Sequence, residues 1–288
     1  ARPMTVRDGR VHGPGTCDMK AGLLAGVYAV EALRASGFDD FAEIVFFCNS
    51  EEEVGSPVSR ALYAEDMRLA DAVLVLEAAR ADGSIVSARK GGGRFTLRVA
   101  GHSAHAGVEP EKGANAIHAL ACHVIALQAL NGLRPGTTVS VGVVRGGTRA
   151  NVVPDAAEAE IDVRVAHPDD VEVVEAALRA AVHPEAVRGT TTDVRGRIGT
   201  PPMARTPGVA CLVDLARGVA GDLGIPLRDV ATGGMSDANR AGAAGRPVLD
   251  GLGPIGGLDH GPGEYVELDS IVPRTALLAG LIAAITRE

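Results

Sequence analysis

Three adjacent carboxylates, Glu51-Glu52-Glu53, run into Val54, Gly55 and Ser56. Like charges this close repel, and a chain gathers them where a cation offsets the repulsion. The segment ahead of them, Ala42 to Cys48, is apolar, β-branched and aromatic, which predicts a buried strand. The acids then fall at a strand's C-terminal end, the edge on which α/β sheets build their sites. Two more carboxylates and one imidazole keep similar company. Asp18 lies in the glycine-rich loop Val11 to Lys20, Glu77 follows the apolar run Ala72 to Leu76, and His260 stands in the glycine-rich stretch Gly251 to Gly261. Each has an ordinary alternative: a solvated turn for the triplet, a helix N-cap for Asp18, a strand-edge residue for Glu77, a surface imidazole for His260. Taken together, Asp18, Glu53, Glu77 and His260 form an oxygen-rich set with one nitrogen. That set suits zinc, cobalt or manganese, and the number of carboxylates suits two ions. Glu52, next to a ligand and directed the other way, is left to carry a proton.

The elements needed to hold these residues are legible in outline. Leu23, Val27, Val30 and Leu33 recur at helical spacing and Gly37 ends the run, so Asp18 stands near a helix N-terminus. A short amphipathic helix is predicted over Pro57 to Asp66, and residues 1 to 10 predict no strand. From Gly91-Gly92-Gly93, read as a hinge, the character changes. Strands are predicted over 94–100, 138–144, 158–165 and 190–194, with helices over 114–130 and 169–182, an α+β sandwich inserted into the chain. The α/β alternation resumes with a helix over 209–223, strands near 228–231 and 246–249, and a closing helix over 271–286. The expected architecture is α/β: a catalytic domain with a mostly parallel sheet over 1–93 and 204–288, and an inserted domain over 94–203.

Composition narrows the functional classes. The 288 residues are 46% hydrophobic and 3% aromatic, with no Trp, so Val, Leu, Ile and Ala must fill the core. The net charge is −8 and no Lys/Arg stripe runs along the chain, which argues against a nucleic-acid partner. No apolar run approaches the roughly 20 residues that span a bilayer and no leader pattern opens the chain, so no membrane partner and a cytoplasmic location are expected. Cys17, Cys48, Cys122 and Cys211 form no Cys-x-x-Cys pair and read as buried reduced thiols.

The motifs, in order, are Gly15-Thr16-Cys17-Asp18-Met19-Lys20-Ala21-Gly22, Glu52-Glu53-Val54-Gly55-Ser56, Glu77, Gly101-His102-Ser103-Ala104-His105-Ala106-Gly107, Asn151-Val152-Val153-Pro154, Gly233-Gly234-Met235-Ser236-Asp237 and His260. They cover essentially the whole chain, which resembles the dinuclear zinc aminoacylase and glutamate carboxypeptidase family of metallopeptidases and amidohydrolases. The resemblance implies a zinc-peptidase-like catalytic domain and an inserted dimerisation, or lid, domain. It implies two zinc ions per subunit, Asp18 bridging them, Glu53 and His260 completing one site and Glu77 the other, with Glu52 as general base. It further implies that His105 reaches a partner subunit's active site to support the oxyanion, in a homodimer. Asn151 and Arg164 match positions that hold the substrate's C-terminal carboxylate, and Gly234 and Ser236 lie in the substrate-binding motif.

Two departures qualify the resemblance. The family's first ligand lies in a His-x-Asp motif upstream of the glycine loop, and the few residues ahead of that loop hold no such motif, so the site containing Glu77 is expected to be weak or empty. Thr200 stands where some glutamate carboxypeptidases carry a substrate-binding Arg. The expected function is metal-dependent hydrolysis of an amide bond beside a free carboxylate, on small peptides or N-acyl amino acids. An N-acyl amino acid deacylase or dipeptidase is the alternative within the family, and a non-catalytic dimeric homologue the alternative outside it.

Overall fold

The computed structural model describes residues 3–62 and 67–286, and the chain divides into two units, Ala1–Arg89 with Met203–Glu288, and Lys90–Pro202. In the first unit, helix α1 (Ala21–Ala35) buries Ala21, Gly22, Ala25, Gly26, Ala29 and Leu33. Its large residues Leu23 and Val27 face outward instead, contrary to the expected packing stripe. Close approach explains the inversion. A Cβ at Gly22 would sit 1.9 Å from the Leu76 carbonyl oxygen, and one at Gly26 would meet Leu76 and Phe46 at 2.6 Å, so only small residues fit.

Strand β3 (Val73–Leu74) pairs in parallel with β10 (Val248–Leu249), and β4 (Ile85–Arg89) in parallel with β9 (Asp229–Thr232). Reciprocal backbone bonds between Val86 and Asp250 join the two pairs. Helices α4 (Pro207–Asp222) and α6 (Leu268–Ile285) close over this sheet with α1, burying Ile85, Val213, Leu249, Leu252, Leu278 and Leu281. By length and composition α6 could cross a membrane, which the sequence reading did not anticipate. Here it packs against α1 and α4.

A smaller antiparallel sheet runs in the order β1 (Thr5–Arg7), β2 (Arg10–His12), β12 (Tyr265–Glu267), β11 (Gly256–Gly257). Its strands are two or three residues long, too short for alternation to announce them, and β1 and β2 fall largely where no strand was expected. The pairing of β2 with β12 sets the chain's first loop beside the loop that carries His260.

The predicted buried strand Ala42–Cys48 is not a strand. The described backbone of this segment takes no strand conformation, and Val45 is 63% and Phe46 40% exposed. The predicted helix Pro57–Asp66 begins only at Arg60, and residues 63–66 lie outside the described part.

The second unit is a four-stranded antiparallel sheet in the order β6 (Thr138–Gly146), β7 (Ala156–Val165), β5 (Gly91–Ala100), β8 (Thr191–Thr200). Alternate residues Phe95, Leu97, Ile161 and Val163 meet Leu120 and Leu127 of α2 (Ala116–Gln128) and Leu178 of α3 (Val171–Ala180). The triple glycine read as a hinge is the first part of β5. A Cβ at Gly91 would meet the Thr200 carbonyl oxygen at 2.4 Å and one at Gly93 the Arg197 carbonyl oxygen at 2.0 Å, so these glycines serve strand approach. None of the four cysteines is in a disulfide; Cys17 is buried while Cys48, Cys122 and Cys211 are exposed, against the reading of buried thiols.

Candidate metal centre

Asp18 is built to do something other than cap a helix. It precedes α1 with non-helical backbone (φ −114°, ψ 93°), and the residue at the helix N-cap is Lys20, whose side chain makes no capping bond. The loop around Asp18 is instead capped by a distant acid. The buried Glu264 carboxylate accepts the Gly15 N–H through Oε2 at 2.8 Å, and the N–H groups of Cys17 and Asp18 through Oε1 at 3.0 Å each. Gly15 turns this loop at φ +69°, where a Cβ would press on the Asp18 carbonyl oxygen at 3.2 Å. The Asp18 carboxylate is left facing His260, whose Nε2 lies 3.0 Å from Asp18 Oδ2 and 3.2 Å from Glu53 Oε1. One donor atom from each of the three lies within 4.8 Å of the others. His260 itself takes left-handed backbone (φ +60°), as does Leu258 (φ +58°), which glycine-rich neighbours accommodate.

The acidic triplet divides by direction. Glu51 folds back on its own turn: its Oε1 accepts from the N–H groups of Val58 (2.9 Å) and Ser59 (2.5 Å) and from the Ser59 hydroxyl (2.7 Å). Those Ser59 bonds hold its carboxyl below the usual range. Glu52 to Val54 form one 3₁₀ turn closed by Gly55 at φ +83°, which sends Glu53 to His260 and Glu52 elsewhere. Burial, then the charges of Asp237, Glu53 and Asp18, push Glu52 up to about 7, the range suited to a base at neutral pH.

Glu77 does not join the three-residue cluster of donor atoms. It stands in the same field, because burial and then Asp250, Asp18 and Glu52 push it up to about 9. Acids raised in this way by one another favour a bound cation, which reverses the effect. For His260 the shift is upward too, through its hydrogen bond to Asp18 and the Glu53 charge. Donor types and spacing therefore fit a divalent ion at Asp18, Glu53 and His260.

Arg89, a buried cation at the end of β4, acts against the rise in Glu52 and Glu77. Its Nε donates to Asp250 Oδ2 at 2.6 Å and its Nη1 to the Gly234 carbonyl oxygen at 3.1 Å. The Ser236 hydroxyl donates to the same Asp250 oxygen at 2.6 Å, while Ser236 N-caps α5 (Asp237–Ala243) in a capping box with Asn239. Ser236, expected at the substrate, is 5% exposed and its hydroxyl is committed to Asp250 and the cap. Asp237 ties α5 to the acidic turn by accepting from Ser56 Oγ at 2.7 Å and Asn49 Nδ2 at 2.8 Å. Sequence reading missed Glu264, Asp250 and Arg89. An acid four residues after a ligand histidine was the one signal available for Glu264.

In the second unit, His105 and Asn151 share a loop pair. A bridge joins His105 to Val152, and the Ala106 N–H donates to the Asn151 carbonyl oxygen at 3.0 Å. His105 is exposed and its Nδ1 accepts from the Gly107 N–H at 3.2 Å. Arg164 forms a two-toothed fork on Asp162, at 2.7 and 2.9 Å, through Nε and Nη2.

The model of the family described as peptidase family M20/M25/M40 matches residues 2–284. Carboxypeptidase G2 of Pseudomonas sp. (strain RS-16) is 29% identical over 286 residues, which is 97% of this chain and 68% of that protein. Succinyl-diaminopimelate desuccinylase of Dechloromonas aromatica (strain RCB) is 29% identical over 94% of this chain and 74% of its own length. Among solved structures, the aminopeptidase PepT from Bacillus cereus ATCC 10987 superposes with a TM-score of 0.85 at 26% identity, covering 99% of this chain and 76% of that one. A family match spanning nearly every residue, on a fold that sets Asp18, Glu53 and His260 together, has one reading: the chain belongs to peptidase family M20/M25/M40.

Proposed function

We propose that this protein hydrolyses an amide bond beside a free carboxylate, on small peptides or N-acyl amino acids, with a divalent metal held by Asp18, Glu53 and His260. The observation that carries the proposal is the convergence of those three side chains from sites far apart in the chain, with Glu52 beside Glu53 on the same turn. A bound zinc, cobalt or manganese ion would polarise the substrate carbonyl and acidify a water. Glu52 takes the proton released in the attack and passes it to the leaving amine, a role open to a half-buried carboxylate next to a proposed metal ligand. Glu77 would serve a second ion, for which its field is suitable and its place outside the three-residue cluster makes the weaker site. Arg164 and Asn151 would hold the substrate carboxylate, the guanidinium by exchanging Asp162 for the ligand. Gly234 and Ser236 would then shape the substrate loop, Ser236 from behind, through Asp250.

The second unit is proposed to form a homodimer that brings His105 to a partner's site. β6 is an edge strand, and beside it Ile117, Ile125 and Val144 are exposed. An exposed apolar surface along an open edge suits a second copy.

The test is a panel of dipeptides and N-acyl amino acids, each with a free or amidated C-terminus, given to the zinc-loaded protein. Turnover confined to the free acids is expected, and equal turnover of the amides would overturn the proposal. Deacylation is the second reading, favoured by the similarity to a desuccinylase. Faster turnover of N-succinyl or N-acetyl amino acids than of dipeptides decides for it.

A further inference from the structure

We propose that Glu264 is a positioning residue that sets Asp18 against His260; this rests on the metal reading above. Its side chain is 5% exposed, yet its carboxylate oxygens face three backbone N–H donors, those of Gly15, Cys17 and Asp18. Three such donors can hold an ionised carboxylate in a buried place without a cation. The backbone of the same residue holds both loops. Its carbonyl accepts from the Gly13 N–H at 3.4 Å, and its N–H donates to the Gly261 carbonyl oxygen at 3.4 Å, one residue beyond His260. One side chain therefore closes the Asp18 loop while its own peptide anchors the turn that presents His260. The pairing of Tyr265 with His12 fixes the register from which both loops leave. None of these contacts involves a donor atom intended for the ion.

Glu264→Gln keeps the shape but replaces one acceptor oxygen with an NH₂ that opposes an N–H. The zinc dissociation constant, read by competition with a chromophoric chelator, is expected to rise about 10–100-fold. Leu281→Ala, which opens the core of the same unit, should lower the melting temperature and leave zinc affinity as it was, so destabilisation alone is separated from loss of positioning. Equal zinc affinity in Glu264→Gln and the unaltered protein would overturn the inference. Failure of the unaltered protein to bind zinc would instead sink the metal reading. If Glu264→Gln does not fold, Glu264→Asp, too short to reach all three donors, is read the same way. Hydrogen exchange on the unaltered protein needs no variant: the amides of Gly15, Cys17 and Asp18 should be protected, and exchange at the rate of an open loop counts against the role given to Glu264.

Discussion

Asp18 and His260 lie 242 residues apart in the chain and 3.0 Å apart in space. The same His260 Nε2 lies 3.2 Å from Glu53 Oε1, so both carboxylates meet one ring nitrogen. Asp18, Glu53 and His260 each turn one donor atom toward the others, an arrangement that can take a cation. Asp18→Asn and His260→Ala should each abolish tight zinc binding. Both residues sit on loops outside the core, so melting of the metal-free protein should change little. Zinc titration beside thermal melting checks this, and undiminished affinity in either variant removes that residue from the site.

Glu52 is the side chain assigned to proton transfer, and it stands beside Glu53 on one 3₁₀ turn outside the three proposed ligands. Glu52→Gln should therefore keep its metal and lose about 10²–10⁴-fold in kcat, with KM little altered. Metal analysis and steady-state kinetics on the same preparation decide the matter. Normal turnover ends the assignment.

The raised carboxyls give the metal-free protein a defined pH dependence. Burial and neighbouring acids move Glu77 from 4.5 to about 9, so the folded state binds a proton that the unfolded state releases. That contribution to stability is present below the unfolded value and is lost as pH rises through about 9. In chelator, the melting temperature should fall between pH 5 and 9, and Glu77→Gln should flatten the slope. A variant melting curve that tracks the unaltered one across this range would refute the shift.

Arg89 and Asp250 form a buried ion pair, 5% and 0% exposed, and Asp250 also accepts from Ser236. Removing one partner leaves a charge without compensation. Asp250→Ala should cost about 3–5 kcal/mol, measured by urea unfolding. Ser236→Ala, which loses one hydrogen bond, should cost about 1 kcal/mol. The Arg98–Glu158 pair on the second unit's sheet is exposed, and breaking it should not register. A similar cost at all three places would mean that burial is not what sets the scale.

Active-site sharing has its own test. Mixed subunits of His105→Ala and Glu52→Ala should recover part of the activity that each variant lacks, if His105 serves a partner's site. No recovery, with mixed dimers demonstrated by mass, excludes sharing.

The sequence by itself determined the identity of the chemical groups, because a carboxylate or imidazole carries its donors wherever it stands. It also determined the long periodic elements: α1, the second unit's strands and helices, and α6 announce themselves through apolar spacing that survives any arrangement. What it lacked was direction. Glu51, Glu52 and Glu53 are chemically alike, and only the dihedral angles of one 3₁₀ turn closed by Gly55 make the first a turn-closing acceptor, the second a candidate base and the third a neighbour of His260. Glu264 gains its role only from the pairing of β2 with β12, which brings three N–H groups to its carboxylate. In the same way, the apolar run 42–48 was legible as strand-forming, but a strand exists only when another chain segment supplies its ladder. Side-chain chemistry is local and can be read in order; orientation and partnership depend on segments far away, and the folded backbone alone supplies them.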